Sequence, residues 1–303
     1  MKIVFMGTPE YATVILKKLL EAGFDVVGVF TQPDKPVGRK QVLTPPDVKN
    51  FIIENNIKTQ IFQPQTLKNS EIYKSIEALK PDFIVVAAYG QILPKEILQI
   101  APCINLHASI LPEFRGASPI QSAILAGDTL GGVSAMRMGE GLDDGEMLGF
   151  SFMGISSLNS QELFLKFATL GANLAIKVLN NFSQINPIAQ IHALSSKCTK
   201  IKKEDGLIKF SDSVDEVMRK FRAFFPWPGV FLENGIKLLD IKIYSNLSSE
   251  NLGKIINIDK NSFILQFQDG QIEVLKLQEV GKKAVLAKDF INGKRLGVDD
   301  RIC

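Results

Sequence analysis

Asn105, His107 and the acidic turn Asp143-Asp144-Gly145-Glu146 carry the side chains of this sequence best suited to chemistry at a carbonyl carbon. An imidazole takes up a proton from an attacking nucleophile near neutral pH, and a carboxamide donates to an oxygen that is gaining negative charge. A carboxylate beside the imidazole fixes its orientation. Asn105 and His107 are two residues apart, the spacing that puts both side chains on one face of a strand. They open the run Asn105-Leu106-His107-Ala108-Ser109-Ile110-Leu111-Pro112, which continues through Arg115-Gly116 to Pro119, and only one other histidine exists in the chain. A lone histidine is commonly a core or surface residue. The position of His107 argues otherwise, because it falls at the carboxyl end of an expected parallel strand, where open α/β sheets build their sites.

That strand belongs to a regular alternation. Lys2 to Met6 is a short apolar run, Gly7-Thr8-Pro9 turns the chain with proline at the first helical position, and Ala12, Ile15, Leu16, Leu19 and Leu20 share one helical face until Gly23. Asp25 to Phe30 is the second strand. Helices follow near Asp47 to Asn55 and Ser70 to Leu79, then a buried strand from Asp82 to Ala88, a helix from Pro94, a strand from Cys103 to Leu106 and a helix from Pro119 to Ala126. This pattern predicts an α/β, doubly wound, mostly parallel sheet. Val133 to Met138 and Met147 to Phe152 read as strands flanking the acidic turn, and Ser160 to Asn180 as a closing helix with Leu163, Phe167, Leu170 and Leu174 inward.

From Asn181 to Lys203 the periodicity is lost, Pro187 intervenes and lysines accumulate, as in an inter-domain linker. A helix at Val214 to Phe224 is followed by short runs at 230–232, 237–244, 253–259, 262–268 and 272–278, separated by turn residues, which predicts a small antiparallel β domain. The expected boundaries are a catalytic domain over 1–189, a linker over 190–208 and a second domain over 209–303.

Composition narrows the classes. With 46% apolar residues the chain can bury a sizeable core. The apolar run near Phe83 to Tyr89 is far below the roughly 20 residues needed to cross a bilayer, and Glu10 interrupts any secretory signal after Met6, so a cytoplasmic protein without membrane contact is expected. Cys103, Cys198 and Cys303 have no paired spacing and no histidines near enough for a metal site, so they read as thiols and no metal is expected. Residues 190–303 hold 19 Lys and Arg against 15 Asp and Glu, whereas the rest holds 16 against 17. A basic second half suits a polyanionic partner, although an excess this small also describes an ordinary solvated surface.

At the same residues the chain resembles the methionyl-tRNA formyltransferases, within the wider formyltransferase superfamily. The resemblance rests on Gly7-Thr8-Pro9, Phe30 to Pro36, Asn105 to Pro119, Gly141 to Gly145 and Arg222-Ala223-Phe224-Phe225-Pro226-Trp227-Pro228-Gly229, and covers nearly the whole sequence. It implies formyl transfer from 10-formyltetrahydrofolate to the methionine amine of initiator methionyl-tRNA, a Rossmann-like formyltransferase domain and an OB-like β-barrel; a monomer is expected. It aligns Asp143 with the family's catalytic aspartate, beside Asn105 and His107. Asp144 stands where the family often has a small polar residue, a departure that sets a second carboxyl group beside Asp143. Through the same match Val85, Ala87, Tyr89, Ser109, Ile110, Leu111 and Pro112 would line the folate pocket. Lys35, Arg39 and Lys40 in the loop from Asp34 to Thr44 would meet the acceptor end of the tRNA, and Lys200, Lys202 and Lys203 would follow its backbone. Lys197 and Lys209 depart from the family pattern. Trp227, flanked by prolines and near Phe221, Phe224 and Phe225, is expected to pack at the domain junction.

Other readings keep their own discriminators. A sugar-nucleotide N-formyltransferase would share the donor but not a steep salt dependence. A hydrolase of formyl-folate would release formate without an amine. A non-catalytic RNA-binding protein would not require Asn105, His107 and Asp143 together. An NAD-linked dehydrogenase is disfavoured because Pro9 and Ala12 stand where the dinucleotide fingerprint needs glycines.

Overall fold

Strand β1 (Lys2–Gly7) is buried from Ile3 onward, because it sits inside the sheet with helices on both sides, where parallel strands are apolar on both faces. Helix α1 (Glu10–Glu21) follows with Pro9 as its N-cap, one position earlier than expected, and buries Tyr11, Ala12, Ile15, Leu16 and Leu19. Gly23, at φ 82°, ends it in the left-handed conformation that glycine adopts without strain. The chain continues through β2 (Asp25–Phe30), β3 (Lys35–Val37), β4 (Val42–Thr44), α2 (Asp47–Glu54), β5 (Gln60–Phe62) and α3 (Ser70–Leu79). Then come β6 (Phe83–Ala87), α4 (Lys95–Leu98), β7 (Cys103–His107), β8 (Arg115–Gly116), α5 (Pro119–Ala126), β9 (Leu130–Arg137), β10 (Met147–Gly154), α6 (Ser160–Asn181) and β11 (Lys197–Cys198). The computed structural model describes residues 1–38 and 40–302. Arg39 and Cys303, each read from the sequence, lie outside the described residues.

Seven strands form the main sheet in the order β10-β9-β7-β6-β1-β2-β5. Neighbours from β7 to β5 are parallel, while β9 is antiparallel to both β7 and β10. This is the mostly parallel doubly wound sheet that the alternation predicts. The direction of winding reverses between β1 and β6, so the carboxyl ends of these two strands border the crevice where such sheets bind ligands, and β7 stands next to β6. One face of the sheet buries Val4, Met6, Phe30, Ile84, Val86 and Cys103 in a single apolar cluster. The loop from Asp34 to Thr44 is a two-stranded antiparallel hairpin, β3 with β4, whose Val37, Val42 and Leu43 are exposed. Its base is anchored by Lys49, which donates to the Asp34 carboxylate at 2.8 Å and to Gln63 at 2.8 Å.

The described residues divide into two units. The first comprises Met1–Ile120, Thr129–Ile155 and Glu162–Thr199, and the second Gln121–Asp128, Ser156–Gln161 and Lys200–Cys303. Two short segments from the middle of the chain therefore belong to the second unit. The expected linker is also not a plain tether at its start: Gln190 is buried in the first unit, and β11 pairs in parallel with β8.

The second unit contains α7 (Val214–Ala223), β12 (Val230–Phe231), β13 (Lys237–Ser245), β14 (Ile255–Ile258), β15 (Phe263–Gln266), β16 (Gln271–Gln278), β17 (Val285–Leu286) and α8 (Ala287–Lys294). Its antiparallel sheet runs β12-β13-β16-β15-β14, with β17 beside β16. Ile272 and Val274 alternate into a core shared with Phe263, Leu265 and Phe267, and Leu277 joins it beyond a shift of register against β13. Helix α7 starts where the Ser213 hydroxyl accepts from the Glu216 backbone N–H at 3.1 Å, with acids in its first turn and Lys220 and Arg222 in its last, matching the helix dipole. Trp227, expected to pack, is 59% exposed, whereas Phe224 is buried at 2%.

Candidate active site

Strand β7 presents Cys103, Asn105 and His107 along one face, and His107 stands opposite Ser134 of β9. Cys103 lies deepest, and burial pushes its thiol up to about 12, so it is an inert core residue. Asn105 is half-buried, and the His107 side chain is 7% exposed. Beyond the strand, the loop from Ala108 is tied back by Ser134, whose hydroxyl donates to the Ser109 carbonyl at 2.8 Å and accepts from the Leu111 N–H at 3.0 Å.

The acidic turn brings Asp143 to this strand end. Its carboxylate accepts from the Asn105 amide at 3.3 Å and from the Gly116 backbone N–H at 3.0 Å. The second oxygen also lies 3.7 Å from His107 Nδ1. On its other side the imidazole donates from Nε2 to the Phe114 carbonyl at 2.9 Å. A carbonyl only accepts, so this contact places the hydrogen on Nε2 and leaves Nδ1 turned toward Asp143. Phe114 is itself fixed, with φ 54° and its N–H donating to Ser196 Oγ at 2.8 Å. The separation at Nδ1 exceeds a hydrogen bond. It suits two groups that close on a proton during reaction.

Three further residues enter the site that sequence reading did not single out. Gln190 donates from Nε2 to the carbonyls of Asp143 and Gly145, at 3.0 and 2.7 Å. Its Oε1 accepts from Arg115 Nε at 3.0 Å and Nη2 at 2.7 Å. Arg115 Nη1 meets His192 Nδ1 at 3.2 Å. Arg115 lies inside the Asn105 to Pro119 segment, so its charge is a usable signal. Gln190 carried none, because a neutral residue in an aperiodic stretch has no pattern of its own.

The residues expected at the folate divide by exposure. Val85 and Ala87 are 0% exposed, so they offer no surface to a ligand; the adjoining Ala88 and Gly90 are exposed at the end of β6. Tyr89 packs into the apolar cluster beside Phe30, Leu67, Leu93 and Ile97. Ser109 and Leu111 are buried, while Ile110 and Pro112 are half-exposed next to the site loop. Alternation identifies apolar positions but not which of them a ligand touches. The Tyr89 hydroxyl is buried without a hydrogen-bond partner among the described residues, and burial pushes its pKa up. Tyr89→Phe therefore raises stability by about 1 kcal/mol and leaves the folate KM unchanged, as thermal melts and steady-state kinetics would show. A raised KM would return Tyr89 to the ligand.

Among the expected tRNA contacts, Lys35, Lys40, Lys200, Lys202 and Lys203 are exposed and make no ion pair with a described residue. Arg39 lies outside the described residues. Asp144 is not part of the cluster, since its carboxylate lies against the Gly141 backbone, 2.0 Å from where a Cβ there would stand. No group of three or more His, Cys, Asp or Glu among the described residues could hold a metal, and no helix among them is long and apolar enough to cross a membrane. A cavity of about 440 Å³ in the second unit is lined by Glu279, Lys282 and Lys294 among others. Its one carboxylate is already paired with both lysines at 2.7 Å, so it holds no comparable chemistry.

Comparison with known proteins identifies the family. Residues 1–179 match the family model described as formyl transferase, and residues 200–295 the model of the formyl transferase C-terminal domain. The chain is 64% identical over 302 residues to the methionyl-tRNA formyltransferase of Campylobacter hominis, covering all of both chains. It is 55% identical over 301 residues to that of a Nitratiruptor species, covering 99% of each. Among solved structures it is similar to the sugar 3N-formyl transferase WlaRD, determined with dTDP and 5-N-formyl-THF, at a TM-score of 0.68 and 19% identity over 93% of this chain and 99% of the other. The chain belongs to the formyl transferase family.

Proposed function

We propose that the chain transfers the formyl group of 10-formyltetrahydrofolate to the amino group of methionine on initiator methionyl-tRNA. The observation that carries the chemistry is the convergence of Asn105 and His107 on the Asp143 carboxylate, at 3.3 and 3.7 Å, at the carboxyl end of β7. Full-length relatives of 51 to 64% identity named methionyl-tRNA formyltransferase support the acceptor. The folate donor supplies a carbonyl carbon bonded to nitrogen, and the exposed end of β6 with Ile110 and Pro112 offers its seat.

Each side chain then has a task that its contacts leave it free to perform. The Asn105 amide has two N–H groups; one reaches Asp143, and the other donates to the formyl oxygen as charge grows there. His107 Nδ1 takes the proton that the methionyl amine loses as its nitrogen bonds to the formyl carbon. Asp143 holds that imidazolium, and together they return a proton to the folate nitrogen as its bond to the carbon breaks. Burial of His107 and Asp143, at 7% and 13% side-chain exposure, strengthens these interactions by excluding water.

Purified protein incubated with 10-formyltetrahydrofolate and methionyl-tRNA tests the reading. Formyl-methionyl-tRNA is the expected product, and release of formate alone would overturn it. A sugar-nucleotide acceptor is the rival that the likeness to WlaRD raises. Salt separates the two: with three phosphates neutralised by the exposed lysines, apparent affinity for tRNA falls roughly fiftyfold between about 50 and 200 mM salt. A flat salt profile would favour the small acceptor.

A further inference from the structure

We propose that Gln190, gripped by Arg115, is the positioning residue for Asp143, setting the place of the carboxylate opposite His107. The inference rests on the assignment of Asp143 above and extends it to residues that take no part in the chemistry.

The turn that carries Asp143 has little to hold itself in place. Glycines stand at 139, 141 and 145, Leu142 is 59% exposed, and Asp143 itself adopts φ 49°, which costs energy for any residue with a side chain. Contacts from Asn105 and Gly116 reach only the carboxylate. Gln190 grips the main chain, donating one N–H to Asp143 and the other to Gly145, so it bridges the turn on both sides of Asp144. Its own oxygen accepts two N–H groups of Arg115, so the side chain's hydrogen-bonding capacity is used in full.

Arg115 addresses Asp143 from both ends. Its side chain orients Gln190, and the peptide that follows it supplies the Gly116 N–H to the carboxylate. Arg115 and Gln190 are each 6% exposed, and no described carboxylate forms an ion pair with the guanidinium. A buried cation satisfied by neutral acceptors is a poor source of stability, and apolar residues of similar size would serve the core at least as well. What the arrangement supplies is a fixed geometry, of the kind that carbonyl chemistry needs to within about 0.5 Å.

Gln190→Glu isolates the role. Glutamate still accepts from Arg115, now as an ion pair, but a carboxylate has no N–H to give the two carbonyls. Expected are a kcat lowered about thirtyfold, KM values for folate and tRNA within about twofold of wild type, and a melting temperature within a few degrees. In an Asp143→Asn background the same change adds nothing, because Gln190 acts only through Asp143. Arg115→Lys, with one donor group in place of the two-pronged grip, gives an intermediate kcat and serves if Gln190→Glu folds poorly. Wild-type kcat in folded Gln190→Glu or Arg115→Lys, or a further loss in the double variant, would overturn the positioning role while leaving Asp143 catalytic. Wild-type turnover by Asp143→Asn alone would instead remove the catalytic assignment, and this inference with it.

Discussion

Turnover of a His107→Ala variant falls about a thousandfold, in the range typical of a lost general acid-base group, while folate binding stays within about twofold of wild type. The expectation follows from how the ring is held. Nε2 is committed to the Phe114 carbonyl at 2.9 Å, so Nδ1 is the only nitrogen available to a substrate. No second imidazole stands in for it, since His192 meets Arg115 through its own Nδ1. Removing the ring also leaves the Phe114 carbonyl supported, because the Cys198 thiol donates to it at 3.2 Å, so the loop keeps its shape. Single-turnover kinetics with preformed enzyme and donor, beside an independent measurement of folate affinity, separates the two effects. A loss confined to affinity, with turnover at saturation near normal, would move His107 from the chemistry to the binding of folate.

Much of this arrangement is legible in the sequence, for reasons that differ by residue. Periodicity locates β1, β2, β6, β7 and the helices between them, because each element buries an apolar face large enough to dominate its local pattern. Asn105 and His107 share a face because alternation along a strand is geometric. Asp143 is harder: it lies 38 residues from Asn105, in a turn whose acids look like any solvated hairpin, and only the family resemblance singled it out. Gln190 and Ser134 are invisible to pattern because their roles exist only in contacts across the fold. The β8–β11 pairing has the same character, joining two-residue strands some 80 positions apart. The β3–β4 hairpin escapes a strand reading because Pro36 interrupts it and its apolar residues face outward. Capture of Gln121–Asp128 and Ser156–Gln161 by the second unit likewise has no local signature.

At that short β8–β11 pairing a single methyl group meets both backbone strain and a backbone obstacle. Gly116 has φ 124°, a region that L side chains rarely enter, and a Cβ built on it would stand 2.2 Å from the Cys198 carbonyl oxygen. The obstacle is backbone, so no side-chain rotation relieves it. Gly116→Ala must push β8 from β11, at about 3 kcal/mol for strain and overpacking together. A domain of this size would lose roughly 6 to 12 °C in Tm. The same shift carries away the N–H that holds the Asp143 carboxylate at 3.0 Å and disturbs Phe114, which holds His107. Activity should therefore drop at least about a hundredfold even at temperatures where the variant stays folded. Gly23→Ala is the control for backbone strain alone, with φ 82° and nothing within 4 Å of the added carbon. It should cost about 1 kcal/mol and leave kcat untouched. If both variants lose only stability, and Gly116→Ala turns over normally once folded, the peptide at Gly116 has no part in holding Asp143.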